Sequence, residues 1–233
     1  MPYAKPSRQW PQTHTVNAVP LSDWSKDNFV APEMSKLTGA DVPDLSKTDA
    51  EQEHWLANFI LNNLLGPQRY VTPLRQQMYN FLRRSHAAFE DYARGRDATL
   101  AYLADPESVL PYITAINHWE KFLADAWQAY AFFAHGTFKP FTKGDGSMRE
   151  RLYALYCRSR HADEAIARGD FVEDSPLCVW LTNDGLRSTD AELAFSEIVE
   201  MLRDLARLAS AVQDPDTVAV KLNEYVAELN GDG

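Results

Sequence analysis

The chain has 233 residues, 45% of them hydrophobic and 12% aromatic, which is enough to bury a sizeable core and excludes a disordered chain. Lys and Arg number 23 against 33 Asp and Glu, a net charge of −10, so long duplex DNA is not an expected partner. Two cysteines, Cys157 and Cys178, are too few for a disulfide framework and read as buried free thiols. No apolar h-region opens the sequence and no run approaches 18 apolar residues. Neither a secretory signal nor a membrane partner is expected, and the expected location is cytoplasmic.

Residues 1–47 hold six of the thirteen prolines, at positions 2, 6, 11, 20, 32 and 43. Proline removes an amide donor and restricts the residue before it, so no long helix fits. Trp10, Val19, Leu21, Trp24, Phe29 and Val30 are scattered through this stretch. The expectation is an extended arm wrapping over the bundle or over a partner chain. The rest, 48–230, reads as one helical-bundle domain.

Thr48-Asp-Ala-Glu51 has the capping-box spacing, in which Thr and Glu side chains satisfy free first-turn amides. Trp55, Phe59, Ile60, Leu64 and Leu65 follow as an apolar stripe, and Gly66-Pro67 ends it. Thr72-Pro73 predicts the next start, with Thr as N-cap and Pro at the first helical position. Leu74, Met78, Phe81, Leu82, Ser85, Phe89 and Tyr92 share one face, Gly95 suggests a kink, and Leu100 and Leu103 resume the pattern to about Ala104. Asp105-Pro106 starts a third helix, with a kink or restart at Pro111. Ile116, Trp119, Phe122, Leu123, Ala126, Trp127, Tyr130 and Phe133 give it an apolar face wide enough for the most buried helix. His135 and Gly136 close it. After turn chemistry at Gly144-Asp-Gly146, the capping box Ser147-Met-Arg-Glu150 starts a fourth helix running to Gly169.

Leu177 to Thr182 has β character and Asn183-Asp-Gly185 is a turn. One isolated strand makes no sheet, so the expectation is an ordered loop pinned by Val179 and Trp180. Thr189-Asp-Ala-Glu192 predicts the start of a fifth helix reaching about Gln213, with Leu193, Phe195, Ile198, Val199, Leu202, Leu205 and Leu208 inward. Asp214-Pro215 breaks it, and Val218–Leu229 forms a short last helix. The fold class is therefore all-α: a bundle of five main helices plus a short C-terminal helix and an extended Pro-rich N-terminal arm.

Glu51-Gln-Glu-His54 and His161-Ala-Asp-Glu164 place a Glu and a His on one helical face. A di-metal bundle needs two Glu-x-x-His motifs and two further Glu, and only one such motif is present, so no metal and no cofactor are expected. His86 and His118 read as boundary histidines. Hydrolase, dinucleotide and phosphate-loop motifs are absent.

That leaves the fourth helix. With Leu152 at zero and steps of 100°, Leu152, Tyr156, Ser159, Asp163 and Ile166 fall within about 40° of zero. Ala154, Cys157, His161 and Ala165 fall opposite, so His161 sits on a second, small-residue face beside Arg158. Arg151, Arg158, Arg160 and Arg168 are either a solubilising surface or part of a polar site at a helix or subunit cleft.

Tyr112-Ile-Thr-Ala-Ile-Asn-His-Trp-Glu120 and Arg158-Ser-Arg-His161-Ala-Asp, in a run from Phe89 through His161, resemble the HEPN superfamily of bacterial all-α domains. The resemblance implies a metal-independent ribonuclease site at a dimer cleft, with His161 as acid/base and Arg158 holding phosphate. Glu120 would steady the pair. Only two residues separate Arg158 from His161, where the family has about four to six. That departure implies a member with weak or no ribonuclease activity. Such a member would be a homodimer engaging RNA or nucleotide, of the kind linked with toxin–antitoxin pairs, phage defence or nucleotidyltransferases. The alternatives are a structural homodimer joined through the small-residue face and, behind it, a metal-dependent bundle enzyme.

Overall fold

A computed structural model describes residues 20–46, 52–66, 70–134, 140–172 and 175–213. Its helices are α1 (Asp23–Phe29), α2 (Gln52–Leu65), α3 (Leu74–Ala104), α4 (Val109–Ala134), α5 (Met148–Arg160), α6 (Ala162–Arg168) and α7 (Phe195–Ala211). Between α6 and α7 lie three short strands, β1 (Trp180–Leu181), β2 (Gly185–Arg187) and β3 (Glu192–Ala194). The all-α reading holds, with α5 and α6 together filling the place of the fourth main helix. The capping box at Thr48, the end at His135-Gly136 and the helix Val218–Leu229 lie outside the described residues.

The antiparallel pair α3 and α4 is the spine. Asp91 meets His118 at 3.1 Å, and two turns away along both helices Arg84 pairs with Asp125. Between them the core is aromatic. Trp119 is fully buried, its indole donates to Thr99 Oγ1 at 3.0 Å, and its ring lies against Tyr92, Phe122 and Phe195. α3 runs unbroken through Gly95, which is buried, and a Cβ there would stand 3.0 Å from the Trp119 ring. The role of Gly95 is to let α4 approach. α4 begins at Val109, so Pro111 falls in its first turn, where the missing amide costs no intrahelical hydrogen bond.

Three expected starts are corrected. Thr72 does not cap α3: the helix begins at Leu74 with Pro73 at the cap position, after a cis Thr72-Pro73 bond. Asp105 caps the C-terminus of α3 instead of opening α4. The motif at Thr189 starts no helix, because the Ser188 hydroxyl takes the amides of Asp190 and Ala191 in a turn and Glu192 enters β3. α7 begins at Phe195, where the Glu197 carboxylate reaches back to the Ala194 amide at 3.0 Å.

The expected isolated strand is part of a three-stranded antiparallel meander, order β1-β2-β3. Leu181 pairs with Leu186 and Leu186 with Leu193, all three buried, so the sheet covers one end of the bundle. A side chain at Gly185 would meet the Leu193 carbonyl at 2.1 Å, so this position needs glycine. Val179 and Trp180 are buried as expected. The Tyr112 hydroxyl accepts from the Leu181 amide at 3.2 Å and ties the sheet to α4.

Residues 20–46 wrap as an arm containing α1 and a 3-10 turn at Met34–Lys36. Ala31, Met34, Leu37, Val42 and Leu45 are buried against the bundle. Trp55 and Phe59 are the buried residues of the expected α2 stripe, whereas Ile60, Leu64 and Leu65 are exposed; on α3, Leu100 is exposed as well.

Candidate functional site

The predicted site sits where the fourth helix divides. Ser147 caps α5 as its motif predicts, accepting from the Glu150 amide at 3.2 Å, while the Glu150 carboxylate takes the amides of Gly144 and Gly146. The expected single helix to Gly169 is broken at His161, whose ψ of 39° swings the axis before α6 begins. Hydrogen bonds continue through the break, from the His161 amide to Cys157 and from the Ala165 amide to His161. Gly169, at φ 77°, ends α6. The swing exchanges the faces expected for a continuous helix: Ala165 is buried and Ile166 is exposed.

Arg158 and His161 line one depression of about 260 Å3 together with Cys157, Glu164, Arg168 and Asp190. Arg158 is already spoken for. Its Nε and Nη2 donate to the two Asp190 oxygens at 3.1 and 3.0 Å, and Nη1 lies 3.2 Å from Asp170 Oδ2. The bidentate geometry is the strong form of this contact. Asp190 is held below its ordinary carboxylate range, first by the Arg158 hydrogen bond, and Asp170 is lowered by Arg168 and then Arg158. Arg168 reaches Asp170 at 3.2 Å and Glu164 at 3.5 Å, and Glu164 lies 3.4 Å from His161 Nδ1. The result is a string of alternating charges, Asp190-Arg158-Asp170-Arg168-Glu164-His161, rather than a cationic cradle.

Glu120 stands apart. It does not line the depression; its carboxyl is half-buried, and burial pushes its pKa up while the nearby Ser159 of α5 opposes the shift. The Cys178 thiol is also raised by burial, with Arg158 opposing the shift and Glu120 adding to it. Cys178 is buried as expected, whereas Cys157 is half-exposed. His118 is a boundary histidine that meets Asp91, as its place at the edge of the apolar face suggests. The Glu-x-x-His at Glu51 begins outside the described residues. Among the described residues no group of three or more His, Cys, Asp or Glu side chains converges as a metal site. Nor is any described helix long and apolar enough to cross a membrane.

Two surfaces were not legible as sites. On α1, Trp24 and Phe29 are 64% and 62% exposed, their rings edge to face at 5.2 Å. The exposed Ile60 and Leu64 of α2 border a groove against α3. A 3.6-residue apolar period signals burial, and nothing in it distinguishes a residue packed on the core from one left for a partner.

No protein-family model, curated protein or solved structure matches this chain.

Proposed function

We propose that this chain is a homodimeric, non-catalytic helical binding module, with the aromatic patch on α1 as its contact surface. The observation that supports this reading is the exposed Trp24–Phe29 pair. Paired aromatics on a fixed backbone are the anchors that dominate interfaces, because they bury much area at little conformational cost. α1 is well fixed: Ser22 caps it, accepting from the Ser25 amide at 3.2 Å, and the buried Lys26 reaches Glu107 at 3.6 Å. Leu110, three residues past Glu107 in the first turn of α4, is 73% exposed as well. Sedimentation of the full chain should show a dimer whose dissociation constant rises about thirtyfold in Trp24→Ala, the effect of losing about 2 kcal/mol at one anchor. A monomeric wild type, or a dimer indifferent to Trp24, overturns the proposal.

A second reading keeps RNA or nucleotide at the HEPN-like depression, and the presence of Arg158, His161 and Arg168 in one concavity favours it. Against it stand Asp170, Asp190 and Glu164, which neutralise both arginines and repel phosphate. RNA cleavage and binding by wild type and His161→Ala should therefore be equal and at background. Cleavage lost with His161 would instead establish the ribonuclease reading.

A further inference from the structure

From Trp55 to Phe89 the sequence contains no aspartate or glutamate, in a chain whose net charge is −10. This stretch covers α2 from Trp55 onward and the first half of α3, and its arginines, the first at position 69, all follow α2. Ile60, Leu61, Leu64 and Leu65 on α2 are 43, 52, 60 and 80% exposed, and Val71 and Tyr79 extend the apolar surface to the start of α3. A groove of about 330 Å3 runs beside them, lined by Phe59, Ile60, Leu64, Arg75 and Tyr79 among others. Contiguous apolar surface of this kind marks a contact site.

The described chain ends at the border of this surface. Asn62 Nδ2 donates to the Gln213 carbonyl at 3.1 Å, and the Tyr70 hydroxyl donates to the Val212 carbonyl at 3.1 Å. Stepping 100° per residue from Phe59, which faces the core, Asn62 lies about 60° to one side. Leu65, Leu61, Leu64 and Ile60 then follow in order round to the groove. The apolar face thus begins next to the point where the chain leaves.

Residues 214–233, outside the described part, have the complementary sequence. Val218, Leu222, Tyr225, Val226 and Leu229 recur at three- and four-residue steps. Asp214, Asp216, Glu224, Glu228 and Asp232 outnumber the single Lys221. We propose that the amphipathic segment Val218–Leu229 docks in cis on the outer face of α2, its apolar side on Leu61, Leu64 and Leu65 and its acids, Glu224 and Glu228, on the side turned to solvent. The dimensions agree. Twelve helical residues span about 18 Å and the fourteen of α2 about 21 Å, and the four-residue link Asp214–Thr217 reaches about 13 Å, more than the width of one helix. This inference is independent of the α1 patch.

Hydrogen exchange on the full chain tests it. Amides of 218–229 should be protected at least tenfold over free-chain rates, independently of protein concentration. Leu64→Asp and, separately, Leu222→Asp should each abolish that protection while α4 stays protected, which shows that the bundle is folded. Leu222→Asp lies outside the bundle and keeps the test valid if Leu64→Asp unfolds it. Free-chain rates in wild type, protection unmoved by Leu222→Asp, or protection that appears only in a dimer would each overturn the proposal.

Discussion

Glu120 shows at the scale of a single residue how environment decides what a side chain does. Its carboxyl is half-buried near Ser159 of α5, and burial raises its pKa. The folded protein therefore holds this proton to higher pH than the unfolded chain does. The stability this contributes is complete below the unfolded value, about 4.3 for Glu, and is lost as pH rises through the raised folded value. Glu120→Gln keeps the size of the side chain and removes the charge, so it should be more stable than wild type at pH 7. Urea unfolding should show that gain shrinking as pH falls toward about 4.3; a gain independent of pH would mean the carboxylate is not desolvated. Arg158 illustrates the opposite case, a charge matched on two sides by acids. Helical spacing put His161 beside Arg158, and the family resemblance added Glu120 to the pair. The acids that occupy Arg158 lie 12 and 32 positions further on, at Asp170 and Asp190, and no local pattern announces them.

Among the elements, the pairing of α3 with α4 turns on Gly95. A Cβ there would stand 3.0, 3.1 and 3.3 Å from three atoms of the Trp119 ring, which is fully buried and bonded to Thr99. Gly95→Ala gains roughly 0.8–1 kcal/mol of helix propensity but overpacks a core position, at a cost of about 1–3 kcal/mol. The overpacking wins, and denaturant unfolding should show a net loss of about 1 kcal/mol. The long apolar periods made α3, α4 and α7 legible in advance, and Ser147 and Gly169 were legible as caps, because those signals are local. The sheet was not, since strands of two and three residues hold too little alternation to register. The start of α7 moved because the Ser188 turn competes with the cap spacing at Thr189 for the same amides. The break at His161 has no glycine or proline to mark it.

The arm joins these elements into one molecule. Tyr92, Arg96 and Tyr102 of α3 donate to the carbonyls of Pro43, Val42 and Met34, so the arm lies along the spine. At its other edge Asn183, in the turn between β1 and β2, accepts from the amides of Thr38 and Gly39 and donates to the Lys36 carbonyl. The Arg187–Glu33 pair at 3.0 Å adds a second tie to the sheet. Asn183 is therefore the clasp between arm and sheet, although it bears no apolar load. Asn183→Ala removes three exposed hydrogen bonds, which water largely replaces, so the net cost is about 1–1.5 kcal/mol rather than the sum of three. Because that clasp touches the arm and the sheet turn but not the spine, the loss should appear as local opening rather than global unfolding. Hydrogen exchange in 34–45 should quicken by roughly five- to tenfold, the factor that cost represents, with α4 unchanged. Met34→Ala behaves differently, since it empties a fully buried position at about 2–5 kcal/mol and so weakens the seat of the arm on the core. If Asn183→Ala accelerated exchange equally in α4, the arm would be part of the global folding unit, and the sheet turn would hold the bundle together rather than its cover.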